Sequence, residues 1–272
     1  MTDNIAHGEY SLLETVPAVL RTRGFRLYTE GGRRLIDLWL NGGAAVLGHT
    51  PPNLLRELKN TASRGLYAPL PHFAEGRFLK ALSKLLPNRF FRLYAAPPEE
   101  LASLFKNGEA ALWRPFTDPI APFVVAENSP PLLVPVLPGI QSWRGGLPMG
   151  LCVVTAKSES QLAHLPKGDI LPPLLLAVSA RGVYDILAVP QRAKPNLPHI
   201  AKALQSGKTW RRRGIYLYLK ENRENETWPA LFKKFLDAGF LPPPIPSQPL
   251  ILPGELSAGE EAKLAVVLAA NG

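Results

Sequence analysis

Proline placement is the feature that most limits what this chain can fold into. Proline has no backbone N–H and a fixed φ, so it suits the first turn of a helix, turns and sheet edges, and is excluded from helix interiors and central strands. The 272 residues hold 29 prolines, roughly twice ordinary usage. Sixteen lie between Pro97 and Pro198, and six more between Pro242 and Pro253. Regular elements in those stretches must be short. With 46% hydrophobic and 19% charged residues the chain still has material for a real core, which excludes disorder as its main state.

Between the breaks the periodicities are clear. Phe25, Leu27 and Leu35 alternate with polar residues on either side of Glu30-Gly31-Gly32, a hairpin signal. Pro51 and Pro52 open a helix with Leu54, Leu55, Leu58 and Ala62 on one face, ending near Gly65. A second helix spans about 73–86, with Phe78, Leu79, Leu82, Leu85 and Leu86 at helical spacing before Pro87. From about 90 to 198 short apolar runs (123–126, 132–137 and 151–155) precede a helix-like stretch, Leu174 to Leu187, the pattern of a compact α/β piece. The tail predicts a strand over 214–219 and a helix over 228–238 stopped by Gly239. A last helix is capped by Ser257, with Glu260 reaching back.

Several functional classes are excluded. The first ten residues lack the pattern of a signal peptide, and the longest apolar stretch, Leu171 to Ala180, contains two prolines and stops at Arg181, so no membrane span is expected. Cys152 is the single cysteine and reads as a buried small hydrophobe in a cytoplasmic protein. The five histidines have no metal-ligand spacing, and neither a nucleophile elbow nor a phosphate loop occurs. The net charge of +9 is scattered except at Trp210-Arg211-Arg212-Arg213, which reads as a solvated turn and not as a nucleic-acid site.

The stretch Arg23 to Pro52, RGFRLYTEGGRRLIDLWLNGGAAVLGHTPP, is specific over thirty residues. Gly24, Leu27, Gly32, Arg33, Leu35, Ile36 and Asp37, followed by Leu47, Gly48, His49 and Pro52, resemble the opening of the class III aminotransferases and glutamate-1-semialdehyde aminomutases. These are pyridoxal-phosphate (PLP) enzymes of fold type I. The tail from Leu231 to Pro244 and then Ser257 to Leu268 is similar to the family's C-terminal small domain. The resemblance implies an α/β protein with a PLP-dependent transferase fold of type I, a reduced large domain, and an α+β small domain formed by both chain ends. It divides the chain into 1–50 and 206–272, the two small-domain segments, and 51–205, the reduced large domain.

The residues that carry the family's chemistry have no counterparts. The family's Ser-Gly-Thr-Glu-Ala turn, a helix-end phosphate site, corresponds to Ala96-Pro97-Pro98-Glu99-Glu100, which offers neither hydroxyls nor proline N–H groups and adds two carboxylates. Arg144-Gly145-Gly146-Leu147-Pro148-Met149-Gly150 resembles the segment just after the Schiff-base lysine. Counting back places Gln141 at the lysine position, and no lysine occurs between Lys106 and Lys157. If Pro173 matches the proline of the family's second phosphate turn, Gly168 replaces its threonine. The aspartate that pairs with the pyridine nitrogen has no equivalent except Asp118, which reads as a turn residue.

On the residues, then, no catalytic, cofactor-binding or metal-binding position is assigned, and no cofactor is expected. The expected role is that of a non-catalytic binding, scaffold or regulatory protein. The alternative is a PLP-dependent aminotransferase or aminomutase with a relocated lysine, Lys106, Lys157 or Lys167. The resemblance also implies a homodimer, or pairing with a full-length aminotransferase-like partner, with Asn41 to Gly48 in the part that family members use near the subunit interface.

Overall fold

The structure, a computed structural model, describes residues 11–106, 111–117, 132–134, 142–144, 147–189, 196–206, 209–220 and 227–270. The first strands are β1 (Val19–Arg23), β2 (Arg26–Thr29) and β3 (Arg34–Asp37), followed by helices α1 (Pro52–Ala62) and α2 (Ala74–Leu85). Next come β4 (Phe90–Tyr94), α3 (Glu99–Lys106), β5 (Ala111–Leu112), β6 (Leu132–Val134), β7 (Ser142–Arg144), β8 (Leu147–Met149), β9 (Cys152–Ala156) and α4 (Pro173–Ala188). The last part holds α5 (Pro198–Ser206), β10 (Trp210–Arg213), β11 (Tyr216–Leu219), α6 (Trp228–Asp237), β12 (Phe240–Leu241), β13 (Leu250–Ile251) and α7 (Ala258–Ala269). The expected strand over 123–126 lies outside the described residues.

The chain divides into two compact units. One comprises Met1–Gly42, Val46–Thr50 and Arg192–Gly272; the other comprises Gly43–Ala45 and Pro51–Gln191. Helix α5 therefore packs with the chain ends.

In the unit of the chain ends, one sheet has the order β1-β2-β3-β12. Gly31 and Gly32 take φ of +82° and +80° in the turn between β2 and β3, a region that favours glycine. Phe25, Leu27 and Leu35 are buried, as the alternation predicts, and Ile36 is buried as well because β12 pairs beside it. Strand β12 joins parallel to β3, with Phe240 opposite Ile36. Helix α6 carries Pro229 in its first turn, buries Leu231, Phe232, Phe235 and Leu236, and stops where Gly239 takes φ +88°. Helix α7 starts with the expected capping box: the Ser257 hydroxyl accepts from the Glu260 N–H, and the Glu260 carboxylate accepts from the Ser257 N–H. Strands β10, β11 and β13 form an antiparallel sheet. Trp210, Leu217, Phe235, Phe240, Leu250 and Leu264 belong to one buried cluster with residues of α5.

Two expectations are corrected here. Trp210–Arg213 is not a turn but strand β10, because Trp210 is drawn into that cluster and the actual turn falls at Gly214-Ile215. In α1, Leu55 is exposed while Thr61 is buried, so the packed face is rotated from the one that the leucines mark.

In the central unit, β4, β9, β6 and β5 form a mixed sheet in that order, with β9 antiparallel to β4 and β6, and β5 parallel to β6. All five residues of β9 are buried. Helix α4, long and apolar behind Pro173, packs against α1 and α2. Asn53 of α1 donates to the Asp185 carboxylate of α4 at 3.1 Å, and Arg181 donates to the same oxygen. Among the described residues no helix is long and apolar enough to cross a membrane.

Candidate functional site

The residues that correspond to the cofactor site in the resemblance lie in the central unit, around the C-terminal end of β4. After Tyr94 the chain leaves the sheet through Ala95, Ala96, Pro97 and Pro98 and enters α3 at Glu99. The Pro98 carbonyl accepts from the Ala102 N–H, so the two prolines serve as a helix start, and Glu99 and Glu100 sit in the first turn where the helix dipole favours acids. The two carboxylates occupy the end at which a phosphate needs positive potential.

Gly168 lies against the outer edge of β4. The Asp169 N–H donates to the Leu93 carbonyl at 2.8 Å, and the Asp169 carboxylate accepts from the Ala95 N–H at 2.8 Å. Arg92 donates to the Leu165 and Pro166 carbonyls, and the Tyr94 hydroxyl donates to the Pro166 carbonyl at 2.7 Å. Together these bonds clamp 165–169 onto the strand. A Cβ at Gly168 would stand 2.8 Å from the Leu93 carbonyl oxygen, closer than side chains approach backbone. Where the resemblance asks for a threonine hydroxyl, the chain leaves no room for a side chain.

The hairpin of β7 and β8 holds the Gly-Gly-Leu-Pro resemblance, with Trp143 paired to Pro148. Gln141 and Asp118 lie outside the described residues. Of the lysines named for a relocated Schiff base, Lys157 follows β9 and Lys167 precedes Gly168; both are exposed. Lys106 is the last residue of α3. Cys152 is wholly buried in β9, and burial pushes its thiol well up, away from the reactive thiolate. Among the described residues no group of three His, Cys, Asp or Glu side chains gathers as a metal site.

The matched residues of the chain ends form a different kind of constellation. Asp37 is 2% exposed. One of its carboxylate oxygens accepts from the Trp39 and Leu40 N–H groups at 2.8 Å each, and the other lies 2.9 Å from His49 Nε2. The His49 N–H donates to the Gly24 carbonyl, and a Cβ at Gly48 would stand 3.3 Å from that same oxygen. Leu40, Asn41, Gly42 and Gly43 all take positive φ, and Asp37 anchors the entry to this left-handed run. The Asp, Gly and His of the resemblance thus hold a backbone path.

Nothing in the sequence marks Asp169, Arg92 and Tyr94 as a clamp, nor Glu261, whose carboxylate accepts from the His199 and Ile200 N–H groups and caps α5 from α7. Each joins residues more than sixty positions apart. The acidic sequence at the start of α7 signalled only a local cap.

With this geometry in view, comparison places the fold. The chain matches Plasmodium falciparum ornithine δ-aminotransferase with a TM-score of 0.64 at 12% identity, over 94% of this chain and 92% of that one. An acetylornithine aminotransferase from Elizabethkingia anophelis gives 0.61 at 13% identity, over 94% and 93%. An omega-transaminase from Sphaerobacter thermophilus gives 0.62 at 11%, over 94% and 90%. The fold is that of the PLP-dependent aminotransferases, an α/β fold with a reduced large domain in this 272-residue chain. No family model matches the sequence. An uncharacterized protein of Treponema pallidum (strain Nichols) is 30% identical over 285 residues, 86% of this chain and 88% of that protein, and the chain belongs to the same family. A Borreliella burgdorferi protein, also uncharacterized, is 41% identical over 68 residues, a quarter of each chain.

Proposed function

We propose that this aminotransferase-like protein has lost PLP chemistry and acts as a non-catalytic binding, scaffold or regulatory protein. The observation that carries the reading is Gly168, pressed onto the Leu93 backbone so that no hydroxyl can stand there. The residues present do not fit the cofactor. Pro97 and Pro98 offer no N–H to a phosphate, Glu99 and Glu100 repel one, and the sequence holds no lysine between Lys106 and Lys157. Lys157 and Lys167 are exposed, outside the closed apolar surroundings in which a nucleophilic lysine is activated.

In this reading residues 1–50 and 206–272 are the small domain and 51–205 the reduced large one, although α5 belongs to the compact unit of the chain ends. The protein works in a reducing cytoplasm, which suits the single buried Cys152 thiol. It pairs with a second copy or with a full-length aminotransferase-like partner. The solved aminotransferases that support the fold leave all three points to be tested.

The test is a spectrum. Purified protein mixed with PLP gives no absorbance band of lysine-bound cofactor, and borohydride fixes no cofactor to the chain by mass spectrometry. A band together with a borohydride adduct on Lys106, Lys157 or Lys167 supports the opposite reading, an aminotransferase or aminomutase with a relocated lysine.

A further inference from the structure

Strand β10 is an outer strand: among the described strands it pairs only with β11. In an antiparallel ladder, hydrogen-bonded pairs alternate with non-bonded ones. The Gly214-Ile215 turn closes on the pair Arg213–Tyr216, and the Lys220 N–H donates to the Thr209 carbonyl. Arg213, Arg211 and Thr209 therefore turn their backbone groups toward β11. Arg212 and Trp210 turn theirs toward the open edge. Trp210 anchors the strand with its buried indole, while the side chains of Arg211, Arg212 and Arg213 are all exposed. The Arg212 Nε donates to the Gly214 carbonyl, and among the described residues none of the three arginines is in an ion pair.

Charges on an edge strand deter edge-to-edge pairing. A second copy of β10 docked here would set arginine against arginine, which disfavours self-association at this edge. The same arrangement selects a strand that brings carboxylates. We infer that β10 is a docking edge for an extended acidic segment of a partner protein, which adds to the sheet as a strand and sets Asp or Glu side chains against Arg211 and Arg213, which share the face opposite Trp210 and Arg212. Main-chain bonds supply the pairing and the charges supply the choice of partner. This rests on the reading of the chain as a binding protein and names the chemical class of its partner.

The full chain is titrated at low salt into a fluorescein-labelled, end-blocked peptide of alternating glutamate and valine, and anisotropy is followed. The peptide binds, and its glutamine-for-glutamate counterpart does not. Methylating alternate backbone nitrogens on the pairing edge of the peptide weakens binding about tenfold, the equivalent of one or two hydrogen bonds. R211E/R213E, with its fold checked by circular dichroism, loses binding. The inference is overturned if the acidic peptide fails to bind, or if the glutamine or methylated peptide binds equally well. It is also overturned if a mixed-sequence RNA oligonucleotide displaces the peptide and outbinds it, since β10 would then be a polyanion patch. Because the peptide variants leave the protein unchanged, a misfolded R211E/R213E does not rescue the inference. The assay contains no PLP, so a lysine-bound cofactor in the spectrum above would end the non-catalytic reading and leave this result standing.

Discussion

The two ends of the chain and its centre treat the aminotransferase pattern in opposite ways. At the ends, the residues that match the family hold the backbone: Asp37 binds Trp39, Leu40 and His49, while Gly48 and His49 meet Gly24. In the centre, the residues that replace the family's cofactor contacts also hold backbone: Gly168 and Asp169 dock on β4, and Pro97 and Pro98 start α3. At the ends the pattern's own residues build the fold, while in the centre other residues stand at the pattern's positions and build it instead. Gly168 shows the physical reason, because backbone docked on a strand edge and a side chain reaching for a ligand compete for one volume.

The sharpest way to break this contrast is at Asp37. Replacing it with alanine leaves the half-buried Trp39 N–H and the buried Leu40 N–H without an acceptor and releases His49, and D37A should lose about 3–5 kcal/mol of stability in urea denaturation. A loss below about 1 kcal/mol would mean that the matched residues of the chain ends are not structural.

A smaller effect is expected at the centre. Gly168→Thr restores the hydroxyl of the resemblance but forces a Cβ to 2.8 Å from the Leu93 carbonyl, so it should destabilise by about 2 kcal/mol through overpacking and gain no affinity for PLP. Unchanged melting together with new PLP binding would show that the centre keeps a latent cofactor site.

The smallest effect is a pH dependence at the chain ends. Burial pushes the Glu260 carboxyl up, but hydrogen bonds from Arg26 and from Ser257 outweigh it and bring it down to about 2. A carboxyl depressed in the folded state stabilises above its unfolded value, about 4.5, and that stability is lost as pH falls toward 2. Wild type should therefore lose melting temperature more steeply than E260Q between pH 4.5 and 2. Parallel curves would assign the acid sensitivity to other carboxylates.

Much of this was legible along the chain. The hairpin around Gly31, the stop of α6 at Gly239 and the Ser257–Glu260 capping box depend on neighbours a few residues away, so local spacing carries them. The altered positions of the cofactor pattern were legible too, as residue identities. What they do instead was not, since the glycine at 168 reads only as a missing threonine until Leu93 is seen beside it. Trp210–Arg213 misled because three arginines in a row look solvated, and so they are; the strand follows from one tryptophan in a core assembled from distant segments.

Along the chain, residue types and their spacing set where regular structure can run and how its helices begin and end. Those are properties of single residues and short spacings. Long-range packing set the rest: β12 joins β3 in parallel, Glu261 caps a helix some sixty residues earlier, and Gly168 lies against Leu93. Such pairings depend on which surfaces meet, and one residue can serve many partners until packing chooses among them.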